Sequence, residues 1–388
     1  MTTAPRTVLT IFGTRPEIIK LAPVIREIEA HGGELRTVNV ASGQHTDLLA
    51  PFVRLFEVPI THDLGVMEAN QTPSGVCSRI LAALDPLLVH EAPDLVLVQG
   101  DTTTALAGAL AAFHRRIPVG HVEAGLRSGD ALNPYPEEMN RRLITRLATY
   151  HFAATPRNGD TLLSEGVRAS DIFVTGNPVV DALNTMREQA SLSEVSRRAL
   201  RETTGTKRIV LTTHRRESFG EVMIENLTVL RRFVDDHDEF TLLFPVHPNP
   251  AVTAQATVAL SGHPRIHLLP PLDYGDFITV LSHAWLVVSD SGGVQEEAPT
   301  LGKPLLILRA NTERPEAIEC GVARLVGGRP ERLAQMLHEI SRDSSWVDSV
   351  HGIENPFGRG DSGRRIARIV GTLLGLPITP PALTDVLT

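Results

Sequence analysis

The sequence predicts an α/β protein made of two Rossmann-like domains, with parallel sheets facing a central cleft. Three observations carry that prediction. Short apolar runs alternate with helical patterns along all 388 residues. Several of the runs are apolar without alternation, as strands become when helices cover both faces of a parallel sheet. The scheme also occurs twice, on either side of a polar stretch at 184–207 that has no strand character and would carry the domain junction. Strand–helix alternation implies parallel sheets with right-handed crossovers.

In the first half, strands are expected at 8–13, 35–41, 95–99, 119–124, 152–155 and 172–175. A helix over 16–30 carries Ile18, Ile19, Leu21, Ala22, Ile25 and Ile28 at helical spacing, with Pro16 in the first turn, where a missing N–H is harmless. In the second half, strands are expected at 208–213, 240–246, 265–269, 285–289, 304–308 and 324–326, with helices over 222–235 and 331–341 between them. The expected division is 1–185 for the first domain and 186–361 for the second. A segment from about 362, helical over 362–371, would return to the first domain, and the residues from Pro377 on are proline-rich and loose.

Composition narrows the function. Hydrophobic residues make up 42% and charged residues 21%, enough for real cores. Aromatics at 4% argue against stacking of bases or an aromatic sugar groove, and a net charge of −8 gives no basic surface for nucleic acid. A diphosphate still needs only a few local donors. Two cysteines, Cys77 and Cys320, make neither a disulfide framework nor a zinc ribbon. With no signal-peptide pattern and no run of the ~20 apolar residues a membrane helix requires, a cytoplasmic protein is expected.

In such sheets ligands bind beyond the carboxyl ends of the strands, so the residues there carry the chemistry. After the first strand come Gly13, Thr14, Arg15, Pro16 and Glu17, with Lys20 a turn later. A glycine, two cations and a helix N-terminus make an anion site, or simply a tight turn with solvated charges. The absence of G-x-G-x-x-G argues against a dinucleotide cofactor, and no cofactor is expected. Asp101 follows the strand at 95–99, as a helix cap or as a cleft carboxylate. His121 and Glu123 lie two apart on one strand, hence on one face by alternation. H-x-E without paired cysteines is no zinc signature, so no metal is expected. Glu137 and Glu138 open the helix after Pro134, Tyr135 and Pro136. Asp101, Glu123 and Glu137, from three strand–helix loops, converge on one sheet edge, where burial would shift their pKa values toward those that proton transfer needs.

In the second half, His214 and Arg215 follow a strand end. The run Ser289-Asp290-Ser291-Gly292-Gly293 then leads into a helix carrying Glu297. Bare backbone N–H groups there can approach a phosphate closely, and Glu297 can accept hydrogen bonds from ribose hydroxyls. Arg314 adds a cation after the next strand.

Taken together, the segments FGTRPEIIKLAP (12–23), QGDTTTALAGALAAF (99–113), GHVEAGLRSGD (120–130), NPYPEEMNRR (133–142), THRRESFG (213–220), PVHPNP (245–250), SDSGGVQEEAPTLGKP (289–304) and TERPEA (312–317) span nearly the whole chain. In them the chain resembles the non-hydrolysing UDP-N-acetylglucosamine 2-epimerases. The resemblance implies a GT-B fold, a homodimer, and supply of UDP-N-acetylmannosamine for bacterial surface polysaccharide. It implies that Arg15, Lys20, Asp101, Glu123, Glu137 and His214 surround the reacting sugar and diphosphate. Ser291, Gly292, Gly293, Glu297 and Arg314 would hold the nucleotide, and Phe277 and the loop at Leu272 would pack on uracil. The partners are then the two UDP-sugars and UDP, handled by anti elimination to a 2-acetamidoglucal and re-addition of UDP.

Relatives often carry a second substrate site that activates the enzyme. Gln44, His45, Gln71, Glu138, Arg215 and His247 match it here, but Thr46, Asp47 and Asn70 depart from its pattern. A lost cation and a gained acid should weaken a second diphosphate, so the site is expected as a remnant. The rival readings are a hydrolysing epimerase, a UDP-sugar glycosyltransferase and a silent UDP-sugar sensor. Three clustered acids suit proton chemistry at carbon 2 better than acceptor activation by one base or a silent sensor, and the products formed separate the hydrolysing epimerase.

Overall fold

The computed structural model describes residues 4–43, 46–68, 71–189, 192–214 and 220–376. They form two compact units. The first runs to Ala182 and takes up the chain again from Phe357, and the second is Leu183–Pro356.

In the first unit the strands are β1 (Arg6–Phe12), β2 (Leu35–Ala41), β3 (His62–Asp63), β4 (Leu95–Gln99), β5 (Val119–Ala124), β6 (Tyr150–Ala153) and β7 (Ile172–Val174). The helices between them are α1 (Arg15–Glu29), α2 (Thr46–Leu55), α3 (Pro73–Glu91), α4 (Thr103–His114), α5 (Glu137–Leu147), α6 (Pro156–Ser164) and α7 (Val179–Gln189), the last of which runs on into the second unit. The strands lie in the order β3-β2-β1-β4-β5-β6-β7, and every pairing is parallel. β1 shows why the unit is layered. Its Val8 and Phe12 pack with Ile18, Leu21 and Ile25 of α1, while Leu9 and Ile11 pack on the other face with Ile80 of α3 and Ala105 of α4. Each such side chain taken fully from water contributes roughly 1.5–3 kcal/mol.

The second unit holds α8 (Glu194–Glu202), β8 (Lys207–Thr212), α9 (Glu221–Asp236), β9 (Phe240–Pro245), α10 (Pro250–Leu260), β10 (Ile266–Leu269), α11 (Tyr274–Ser282), β11 (Leu286–Ser289) and α12 (Gly292–Leu301). It continues through β12 (Leu305–Ile307), α13 (Glu316–Glu319), β13 (Ala323–Leu325), α14 (Pro330–Arg342) and α15 (Ser345–Ser349). Its parallel sheet has the order β10-β9-β8-β11-β12-β13 around a core of Ile209, Leu211, Leu242, Phe244, Leu286 and Val288. The last helix, α16 (Ser362–Leu373), belongs to the first unit, where Ile366, Ala367, Ile369 and Val370 join the core on the α1 face. Its Gly363 lies so close to α1 that a Cβ would stand 2.8 Å from the Pro23 carbonyl oxygen.

In both sheets the strand order reverses once, between β1 and β4 and between β8 and β11. The carboxyl ends of those two strand pairs are where this fold binds ligands.

Candidate active site

At the first reversal, the loop after β1 leads into α1 with Arg15 as its first residue. Arg15 is exposed, its guanidinium 5.7 Å from the centre of the Phe52 ring. Lys20, a turn further on, is buried at 6% exposure and lays its Nζ 2.7 Å from both oxygens of Glu123. Gln99 at the end of β4 donates to the same carboxylate. This cation, expected at a diphosphate, is therefore bound to one of the acids.

Glu123 reaches that position through its backbone. Its φ is +64°, and the pairing of β5 with β6 shifts register between Val122 and Ala124. Simple alternation along the strand does not hold across this bulge, so the sequence argument that set His121 and Glu123 on one face fails at Glu123. A non-glycine residue at positive φ stores backbone strain of about 1–3 kcal/mol, and such strain clusters at functional sites. His121 has no exposed surface, and burial pushes its pKa down to about 3. The ring is therefore neutral, and its Nε2–H donates to the Gly100 carbonyl at 2.8 Å.

Asp101 sits in the turn between β4 and α4, with Arg141 Nη2 at 2.6 Å from its Oδ2. Asn140 donates to its carbonyl at 2.8 Å. Both partners are on α5, which Glu137 opens, half-buried, in the first turn. Glu138 has no exposed surface. It accepts from Ser128 N–H at 2.9 Å, from Arg141 at 3.1 Å and from Arg142 at 2.9 Å. Glu138, expected at a second ligand site, has both oxygens engaged by groups of its own unit. The three acids do stand at neighbouring strand and helix ends, but Asp101 and Glu123 each face a cation.

At the second reversal, Asp290 at the end of β11 is the organising group. With no exposed surface, it accepts from the Thr213 hydroxyl at 2.8 Å and from the backbone N–H of His214 at 3.1 Å. His214 Nδ1 lies 3.4 Å from the same carboxylate, and its ring stacks on His247 with centres 5.6 Å apart. His247, expected at the remnant site, thus backs His214. The next residues, Ser291, Gly292 and Gly293, open α12 with no side-chain cap on its N-terminus, which leaves backbone donors and the positive end of the helix dipole for an anion.

Glu297 is buried on the same helix and accepts from the Tyr274 hydroxyl at 2.9 Å. Tyr274 begins α11, which also carries half-buried Phe277, while Leu272 lies on the loop before it. The Arg314 guanidinium is anchored in a buried network, 2.6 Å from Glu296 and 2.6 Å from Glu313, and Arg309 lies 2.6 Å from Glu313 as well. Gln71 accepts from Glu68 N–H and from Arg79. Gln44, His45, Asn70 and Arg215 lie outside the described residues, as do the side chains of Thr46 and Asp47. Among the described residues no group of His, Cys, Asp and Glu could hold a metal ion, and no helix is long and apolar enough to cross a membrane.

Three buried groups were not singled out from the sequence: Glu17, Arg141 and Asp290. The signal for Glu17 was present, since Thr14-Arg15-Pro16-Glu17 has the T-x-x-E form of a capping box. Burial lifts its pKa from 4.5 to about 7, against the lowering effect of the hydrogen bonds it accepts from Thr102, Gly13 and Thr14. Arg141 and Asp290 gave no such signal, because the partners that draw them into the site, Asp101 for Arg141 and Thr213 with His214 for Asp290, are distant in sequence.

The family model described as UDP-N-acetylglucosamine 2-epimerase matches residues 26–371. The UDP-N-acetylglucosamine 2-epimerase of Escherichia coli is 42% identical over 364 residues, covering 92% of this chain and 96% of that one. The Bacillus subtilis enzyme of the same name is 41% identical over 359 residues, covering 92% and 93%. Among solved structures, the UDP-GlcNAc 2-epimerase of Neisseria meningitidis bound to UDP-GlcNAc superposes with a TM-score of 0.88 at 39% identity, covering 95% of this chain and all (100%) of that one. The two parallel-sheet units are thus those of the GT-B epimerase structures, and the chain belongs to the UDP-N-acetylglucosamine 2-epimerase family.

Proposed function

We propose that the protein interconverts UDP-N-acetylglucosamine and UDP-N-acetylmannosamine, without hydrolysis, by eliminating UDP and adding it back. The observation that carries this reading is the placing of Asp101 after β4 and Glu123 in the neighbouring β5, each with its own cation, beside the β1/β4 reversal of a chain from this family. The proton on carbon 2 is not acidic, so removing it alone is prohibitive. In anti elimination the carbon–hydrogen electrons form the carbon 1–carbon 2 double bond as the carbon 1–oxygen bond breaks and its pair leaves with the β-phosphate. The intermediate is a 2-acetamidoglucal. Protonation of carbon 2 from the opposite face and return of UDP give the manno epimer.

Asp101, Glu123 and Glu137 supply the acid and base. Arg15, Lys20 and His214 offset the charge that grows on the departing diphosphate. The uncapped start of α12 at Ser291–Gly293 binds the diphosphate, Glu297 the ribose, and Phe277 with Leu272 the uracil. Arg314 shapes that nucleotide site from its buried network. Water must be kept out until UDP returns, which is what separates this reaction from hydrolysis.

The test is to incubate the protein with UDP-N-acetylglucosamine in heavy water and follow products by NMR. UDP-N-acetylmannosamine should appear and reach equilibrium, with deuterium at carbon 2 and no accumulating free sugar. Free N-acetylmannosamine with UDP would establish the hydrolysing reaction instead.

A further inference from the structure

At the β1/β4 reversal one side chain touches both loops. Glu17 Oε2 accepts three hydrogen bonds, from Gly13 N–H at 2.9 Å, Thr14 N–H at 2.8 Å and the Thr14 hydroxyl at 2.8 Å. Its Oε1 accepts the Thr102 hydroxyl at 2.6 Å, from a residue 85 positions away. Thr14 is the N-cap of α1 and Thr102 the N-cap of α4, where its oxygen also receives Ala105 N–H at 3.0 Å. An ordinary capping-box glutamate satisfies the N-cap N–H of its own helix. This one has no exposed surface and joins the N-termini of two helices on either side of the sheet reversal.

We infer that Glu17 is a positioning residue of the epimerase reaction, clasping the loop of Arg15 to the loop of Asp101 through the hydroxyl of Thr102. The inference rests on the proposed epimerase reading. Arg15 follows Thr14 directly, Asp101 precedes Thr102 directly, and Lys20, the partner of Glu123, stands on the same helix one turn beyond Glu17. A slip between the two loops would therefore move the proton-handling acid relative to the cations. All four groups facing Glu17 donate to it, so the clasp needs an acceptor oxygen on each arm of the side chain at position 17. Glu17 touches neither reacting atoms nor substrate in this account. Its effect passes through the residues it holds.

The experiment breaks the clasp while keeping both helices capped. Assayed above about pH 8, where Glu17 with its pKa of about 7 is ionised, the Thr102→Asp carboxylate still accepts Ala105 N–H, since Asp is as good an N-cap as Thr, but it cannot donate to Glu17 and repels it. The expected result is a fall in kcat on the order of 10- to 100-fold with KM little changed, as for a misplaced reacting group. Thr102→Ser, which keeps the hydroxyl, should stay near wild type. The double variant E17Q/T102D should regain most of the loss, because the glutamine amide can donate to the new carboxylate. Urea unfolding of each variant checks that all are folded at the assay temperature. Two results overturn the inference: T102D turning over as fast as wild type, or the double variant doing no better than T102D alone. Wild-type protein that fails to exchange deuterium into carbon 2 in the same assay overturns the epimerase reading itself, a separate outcome.

Discussion

A carboxylate buried among hydrogen-bond donors makes stability depend on pH, and Glu17 sets the sign at its site. Its pKa is about 7 in the folded protein, raised from 4.5 mainly by burial. Stability held through this group is thus fully present below pH 4.5 and is lost as pH rises through 7, by roughly 3 kcal/mol in all. His121 and His151 work in the opposite direction. Burial depresses them to about 3 and about 4, so their contribution is present above 6.5 and lost as pH falls toward those values. Replacing Glu17 with glutamine removes only the first effect. Urea unfolding at pH 5 and pH 8 should show E17Q gaining on wild type by about 2–3 kcal/mol across that interval. A constant difference would mean that Glu17 titrates normally.

Among the elements, α16 returns to the first unit and depends on two local contacts. Asp181 of α7, 7% exposed, accepts Gly363 N–H at 2.9 Å and Ser362 N–H at 3.2 Å, which caps the helix from another part of the chain. Gly363 then fits against Pro23 only because it lacks a Cβ. Asp181→Ala should lower stability by about 1–2 kcal/mol, as lost caps do. Gly363→Leu should do more, since backbone rather than a flexible side chain blocks it. Chemical denaturation measures both; a G363L protein as stable as wild type would show that α16 does not dock this way. Elements of this kind were largely legible in the sequence. The strands expected at 35–41, 95–99 and 119–124 coincide with β2, β4 and β5, most plainly at β4, where burial on both faces writes the unbroken apolar run Leu95–Val98. β3 was not legible: its two residues, His62 and Asp63, pair only along the edge of β2 and bury no apolar face. The bulge at Glu123 was hidden too, since no residue type in GHVEAG announces a positive φ. The acids and Lys20 were named from their places after strands, but the pairing of Lys20 with Glu123 was not legible, because the two meet across 103 positions.

For the molecule as a whole, each of the two sheets reverses its strand order once, and the residues proposed to act follow the strands at those reversals within each unit. Regulation by a second substrate molecule is expected to be weak, since the resemblance to relatives with such a site breaks down at Thr46, Asp47 and Asn70. Glu138, moreover, is engaged by Ser128, Arg141 and Arg142. Rate against UDP-N-acetylglucosamine concentration should therefore be close to hyperbolic. A sigmoidal curve that Arg215→Ala makes hyperbolic would show that the second site still works. The reaction itself is tested most directly at carbon 2. When wild-type protein equilibrates UDP-N-acetylglucosamine in heavy water, the proton resonance at carbon 2 should vanish from both epimers, with the sugar recovered as its UDP conjugate. Formation of UDP-N-acetylmannosamine with its original hydrogen retained, or no exchange at all, would contradict elimination and re-addition as the chemistry of this site.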